Sequence, residues 1–209
     1  MVLDRAWGIA REVEGEAILI LMLAALCHDL GKPETTTFEG NRVRSLAHEE
    51  PSARRAREWL AQLRFPERVV RTVGVLVANH LAPSQLVRQA SGPRAYRRLA
   101  RRLAGDGASL GLLEKLARAD HLGRTTEEAL AGRYDAGTAF LASADAAEVR
   151  EAPRSDVVTA QDLIARGIAP GPELGRLLRR CREIEDETGF RDADRILARC
   201  LARRGRPSR

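Results

Sequence analysis

An all-α fold, a helical bundle with a C-terminal helical extension, is what this sequence predicts on three observations. Apolar residues recur at three- and four-residue spacing through most of the chain, which is the period of a buried helix face. Glycine and proline punctuate the ends of those segments. Strand-like residues are confined to one short stretch, Thr37-Phe38 and Val43.

The first segment, Met1 to Arg11, carries Val2, Ala6, Ile9 and Ala10 at helical spacing. It has no capping residue or lead-in loop, so its helix is expected to begin upstream of the sequence. Ala17 to Cys27 then runs for eleven residues without a polar side chain. That is far short of the roughly 20 residues a bilayer span needs, and it predicts a central helix buried on all sides. Gly31 is expected to end this helix in the left-handed conformation, with Pro33 beyond it, which puts His28 and Asp29 in the last turn at the rim of the core.

The polar stretch Glu34 to Ser45 fits a hairpin turning at Glu39-Gly40-Asn41. His48 stands at the mouth of a helix with Pro51 in its first turn and Ala53, Ala56, Trp59, Leu60 and Leu63 as the inward stripe. The next helix starts at Phe65-Pro66-Glu67, buries Val69, Val70, Val73, Leu76 and Val77, and ends at His80. Pro93 to Ala104 is a basic helix, and Ser109 to His121 another, with Leu110, Leu113, Leu116 and Ala117 inward, Asp120 at its close and Gly123 stopping it. His121, on a different face from Asp120, is expected at the surface.

Glu127 to Glu151 reads as two weak alanine-rich helices and Pro153 to Val158 as a linker. Leu174, Leu177, Leu178, Cys181 and Ile184 mark a further helix, and Asp192 to Arg203 a last one before a basic tail expected to be disordered. Two regions follow, 1–125 and 126–209.

The three cysteines, Cys27, Cys181 and Cys200, match neither a disulfide framework nor a zinc spacing and are expected to be reduced core thiols. No cleavable leader or membrane-length run is present, so a cytoplasmic protein with no membrane partner is expected. The net charge of +6 and pI near 10.0 suit a polyanionic partner such as RNA. Only Lys32 and Lys115 among the 35 basic residues are lysine, so much of the excess reflects arginine usage. Lys32 stands out against that usage as a compact ammonium able to meet a phosphoryl oxygen.

An imidazole beside a carboxylate at the edge of an apolar core needs a partner, and a divalent metal supplies one. From the dipeptide alone, an ordinary helix C-terminus with His28 favoured by the dipole and Asp29 turned to water is the readier reading. His28, His48 and His80, three of the four histidines, fall at helix ends, as does Asp120. A mixed imidazole and carboxylate shell accepts Mn, Fe, Ni, Zn or Mg alike. Such a metal brings the pKa of water toward neutrality for attack on phosphorus, while Lys32 neutralises phosphoryl charge.

The segment His28-Asp29-Leu30-Gly31-Lys32-Pro33 closing an apolar helix resembles the HD metal-dependent phosphohydrolase superfamily. With His48-Glu49-Glu50, Ala119-Asp120, Asp162-Leu163-Ile164 and the segment from Gly167 to Gly175, the chain is similar to the C-terminal HD portion of bacterial CCA-adding enzymes, the tRNA nucleotidyltransferases. The resemblance implies an HD-domain helical bundle in which His28, Asp29 and Asp120 are metal ligands. It also implies that His48 and His80 reach a second metal or the substrate phosphate. The implied activity is hydrolysis of nucleotide or RNA phosphoesters: 2′,3′-cyclic phosphates, 2′-nucleotides and small phosphomonoesters.

Two departures qualify the resemblance. The nucleotidyltransferase head is absent, so this chain alone is expected not to add CCA. The family's upstream histidine ligand also has no counterpart here. The alternatives are a fragment of a longer CCA-adding enzyme, a stand-alone relative beside a separate nucleotidyltransferase chain, or a non-catalytic tRNA-binding or docking module. In that last reading, arginines such as Arg94, Arg97, Arg98, Arg176, Arg179 and Arg180 would contact phosphates.

Overall fold

A computed structural model describes residues 1–40 and 42–202. The described chain is helical apart from one two-stranded hairpin, as the spacing predicts. It forms two compact units, Met1–Pro153 and Arg154–Arg209. Among the described residues no helix is long and apolar enough to cross a membrane.

In the first unit, α1 (Val2–Ile9) packs against α2 (Glu16–Cys27), the helix formed by the uncharged run. Ile20, Leu21, Leu23, Ala24, Ala25 and Cys27 of α2 are buried. The helix is nevertheless not buried on all sides, because Leu19 and Leu26 remain 42% and 45% exposed. These residues stand seven apart, two turns along one stripe that stays partly open among the described residues. Trp59 and Leu63, expected inward, are likewise 39% and 53% exposed. Leu26, Leu30 and Trp59 border one open apolar groove.

Gly31 corrects the expected helix stop. Its φ of −85° is right-handed, so the position does not need glycine for its backbone angles. It needs glycine for room: a Cβ would stand 2.7 Å from the His48 carbonyl oxygen and drive into the Ser52 backbone. The Gly31 N–H instead donates to Ser52 Oγ at 2.8 Å. The end of α2 is thereby clamped to the start of α4 (Glu49–Gln62). Between them lie the single-turn α3 (Lys32–Thr35), with Pro33 in its first turn, and the hairpin β1 (Thr36–Glu39) and β2 (Arg42–Ser45). Thr36 faces Ser45 and Phe38 faces Val43 in antiparallel register. Asn41 of the expected turn lies outside the described residues.

Helix α5 (Glu67–Ala78) packs along α4 and α2 and buries Val69, Val73, Leu76 and Val77. A short helix absent from the expected elements follows, α6 (Ala82–Arg88), with Pro83 in its first turn. Next come α7 (Pro93–Ala104) and α8 (Leu110–Leu122), the latter started by Ser109 Oγ accepting the Leu112 N–H at 3.0 Å. The alanine-rich stretch forms α9 (Glu127–Leu130) and α10 (Asp135–Ala146), as expected. Helix α10 packs on α6 and α8, with the Phe140 ring against Tyr96.

The second unit holds α11 (Ala160–Ile164), α12 (Pro172–Thr188) and α13 (Ala193–Leu201) around Val158, Leu163, Ile168, Cys181, Ile184, Ile196, Leu197 and Cys200. All three cysteines are buried free thiols, as composition suggested. The basic tail from 203 onward lies outside the described residues.

Candidate metal centre

Four separate pieces of the first unit bring chemistry to one place. His28 caps α2, and Asp29 follows in the turn that Gly31 closes. His48 caps the N-terminus of α4, delivered by the Gly31–Ser52 contact. His80 stands just past α5, and Asp120 lies in the last turn of α8.

The side chains converge. His28 Nε2 is 3.1 Å from Asp29 Oδ2 and 3.4 Å from Asp120 Oδ1. His48 Nε2 is 3.2 Å from Asp29 Oδ1 and 3.2 Å from His80 Nε2. The tightest set of donors is Asp29, His48 and His80, whose atoms all lie within 4.8 Å of one another. His28 joins that set through Asp29, and Asp120 joins through His28.

Each imidazole is oriented by its own main chain. Nδ1 of His28, His48 and His80 lies 2.9, 2.8 and 2.7 Å from the carbonyl oxygens of Ala25, Ser45 and Val77. A carbonyl only accepts, so Nδ1 of each ring carries a proton and Nε2 is the nitrogen turned toward the other side chains. The arrangement is one that prepares histidines for metal. Two Nε2 atoms 3.2 Å apart, as in His48 and His80, need either a proton between them or a cation against both. Two donors each about 2.1 Å from one ion stand about 3.0–3.4 Å apart, so these spacings fit a shared cation. His28 Nε2 is buried without a well-directed hydrogen bond, which also fits a ligand atom.

The electrostatics agree. Burial opposes charge on His28, but the Asp120 and Asp29 carboxylates outweigh it and raise the imidazole to about 9. Burial pulls His80 down to about 4, against the Val77 carbonyl, so it stays neutral. Burial also works against ionised Asp29 and Asp120. His28 and Lys32 nevertheless hold Asp29 well below the carboxylate range, and His28 and Arg124 bring Asp120 to about 2. The centre therefore keeps two ionised carboxylates in a half-dry place, which calls for positive charge.

Asp29, Lys32, His48, His80, Asp120 and Arg124 line a cavity of about 350 Å³ together with Val2, Leu81 and Gly123. Two cations sit at its edge. Lys32 Nζ is 2.6 Å from Asp29 Oδ2, and the Arg124 guanidinium pairs with Asp120, one helical turn beyond it. Arg124 was missing from the expected site residues, although the Asp120-to-Arg124 spacing of one turn was readable. Lys32 and Arg124 are 46% and 49% exposed, leaving both head groups able to swing toward a ligand.

The other expected residues lie elsewhere. Arg94, Arg97 and Arg98 ride α7 and do not line this cavity; Arg98 lines the neighbouring one. Arg176, Arg179 and Arg180 belong to α12 of the second unit, where Arg180 pairs with Glu183. His121 points away from Asp120 but is not a surface residue. Its ring stacks on Tyr134 at 4.7 Å and its side chain is 15% exposed, because Tyr134 folds over it.

The family model for the HD domain matches residues 1–124, the stretch that contains every residue of this centre. A CC-adding tRNA nucleotidyltransferase of Thermus thermophilus is 34% identical over 177 residues, covering 82% of this chain and 37% of that protein. The chain thus spans little more than a third of the length of that curated relative. No solved structure matches the chain significantly.

Proposed function

This chain belongs to the HD domain family, and we propose that it is a metal-dependent phosphohydrolase acting on nucleotide or RNA phosphoesters. The expected substrates are 2′,3′-cyclic phosphates, 2′-nucleotides and phosphomonoesters. The observation that carries this reading is the approach of two histidine nitrogens, His48 Nε2 and His80 Nε2, 3.2 Å apart beside one ionised carboxylate, Asp29.

Asp29, His48 and His80, with His28 and Asp120 beside them, would hold one or two divalent cations. Such a cation, when bound, polarises a phosphoryl oxygen and makes water nucleophilic near neutral pH. The protein's own contribution is placement and charge. The ionised Asp29 and Asp120 stay in position because Lys32 and Arg124 pair with them. With a cation bound there, both head groups would be free to meet phosphoryl oxygens, Arg124 as a two-point donor and Lys32 as a point charge. Val2 and Leu81 supply apolar wall that keeps bulk water off one side of the cavity.

The test is turnover of p-nitrophenyl phosphate and of 2′,3′-cAMP by the intact chain, stripped with chelator and reloaded with Mn, Fe, Ni, Zn or Mg in turn. Turnover with at least one metal, abolished in Asp29→Ala, supports the reading; no turnover with any of them sinks it. The likeness to a tRNA nucleotidyltransferase favours a second reading, a non-catalytic tRNA-contacting module. Its signature would be salt-dependent tRNA binding in the absence of turnover.

A further inference from the structure

The first unit exposes both an apolar projection and an apolar groove. The projection is the hairpin: Phe38 and Val43 face each other across β1 and β2 and are 78% and 64% exposed, and Leu46 just past β2 is 68% exposed. The groove, of about 480 Å³, runs between the end of α2 and α4, with Leu26, Leu30 and Trp59 as its apolar wall and Arg55, Glu58 and Gln62 along its rim. Single exposed leucines are ordinary on a monomer, but these six side chains leave several hundred Å² of apolar surface open, the size that marks a contact face.

The two features adjoin. Leu30 of the groove stands two residues before α3, which runs directly into β1. Glu34 of α3 accepts hydrogen bonds from Arg54 and Arg55 of α4, so the hairpin leaves the body at the Arg55 end of the groove. Their charges are opposite in sign. Glu58 on the groove has no lysine or arginine at ion-pair distance among the described residues, Arg55 being engaged by Glu34, while the strand that carries Val43 reads Arg42-Val43-Arg44.

A two-fold interface needs one patch that is complementary to itself, and a projection beside a groove of the same character is such a patch. Area decides between a one-way and a reciprocal contact. The three apolar side chains of the projection cover far less than the roughly 800 Å² per partner that a stable interface buries, whereas an exchange buries projection and groove on both copies. We infer that this face is the interface of a two-fold dimer of the chain, in which the hairpin of each copy, through Phe38 and Val43, seats in the groove of the other between Leu26, Leu30 and Trp59, with its basic strand against Glu58.

The experiment is sedimentation velocity of the intact chain over a concentration series. A reversible equilibrium between monomer and dimer is expected. Phe38→Ser is expected to raise the dimer Kd about a hundredfold, because each dimer loses two buried aromatic rings. The ring is exposed in the single copy, so this variant keeps its fold. Trp59→Ser, checked for folding by circular dichroism, is expected to weaken the dimer similarly. Mixed in equal amounts, the two variants retain one intact projection and one intact groove between them, so a mixed dimer is expected at concentrations where each variant alone is a monomer. A wild-type chain that stays monomeric throughout overturns the proposal and leaves the face to another polypeptide. A dimer that survives Phe38→Ser unchanged overturns it as well, and that result decides even where Trp59→Ser fails to fold. Open-ended assemblies overturn the reciprocal exchange, and the absence of a mixed dimer from two folded variants overturns the pairing of hairpin with groove.

Discussion

His48 Nε2 and His80 Nε2 face each other at 3.2 Å, each ring having committed its other nitrogen to a backbone carbonyl. The two residues stand 32 apart in the chain, one before α4 and the other just past α5. A divalent cation held by both must therefore stabilise the fold. Thermal unfolding is expected to rise with added metal and fall back with chelator, by about 2.7 kcal/mol at a hundredfold excess over Kd. His80→Ala is expected to lower metal affinity at least tenfold by calorimetry. Equal melting temperatures with every divalent metal and with chelator would exclude a bound cation.

Gly31 fixes the distance between Asp29 and His48 through Ser52. Gly31→Ala is expected to cost about 1–3 kcal/mol in urea unfolding, since the added methyl meets the Ser52 and His48 backbone and the Pro51 ring, none of which is free to move aside. Metal affinity should fall in the same variant although no ligand is altered. An undiminished affinity in a folded Gly31→Ala protein would show that the contact does not position the centre.

Lys32 and Arg124 occupy the mouth of the metal cavity, each paired with one of its carboxylates. Arg124→Ala is expected to lower kcat/KM for 2′,3′-cAMP by about 10²-fold, the size of effect seen when one donor to a developing oxyanion is removed. Metal stoichiometry, read by elemental analysis, should stay at the wild-type value. Lys32→Arg should recover part of the activity lost in Lys32→Ala, because charge is kept while geometry changes. A kcat/KM for Arg124→Ala equal to wild type would remove that guanidinium from the mechanism.

Cys181 in the second unit has its thiol pushed from 9.0 up to about 12, by burial first and then by Cys200 beside it. A group that binds its proton more tightly folded than unfolded stabilises the fold below its unfolded pKa and loses that contribution as pH rises. Stability of this unit is thus expected to decline between pH 9 and 12, followed by circular dichroism. In a Cys181→Ala protein the decline should be shallower. At pH 7.5 Cys181 should resist iodoacetamide until denaturant is added, which mass spectrometry reads directly. Rapid native labelling would contradict the burial.

Much of the helical framework was legible because its signals are local. Pro93 and Ala104 bound α7 as expected, since proline at a first turn and an amphipathic stripe are written in adjacent residues. The gathering of His28, Asp29, His48, His80 and Asp120 at helix ends was legible only as an ordering along the chain. Their convergence depends on Gly31 and Ser52 touching across 21 residues, which no local pattern records. Leu19, Leu26 and Trp59 show the reverse failure. Periodicity groups the residues that share a stripe, but whether another helix covers that stripe is a matter of tertiary arrangement. Arg124 was passed over because its one-turn spacing from Asp120 gains meaning only once the cavity beside Asp120 is seen.

The three imidazoles are each anchored to a carbonyl three residues back in their own chain segment. The cost of aiming them is met during folding, so capturing an ion requires little further ordering. The converse is a safeguard: an incompletely assembled chain offers scattered single histidines with no grip on a cation. Loading thus becomes a proofreading signal, given only when several distant helix ends have all arrived.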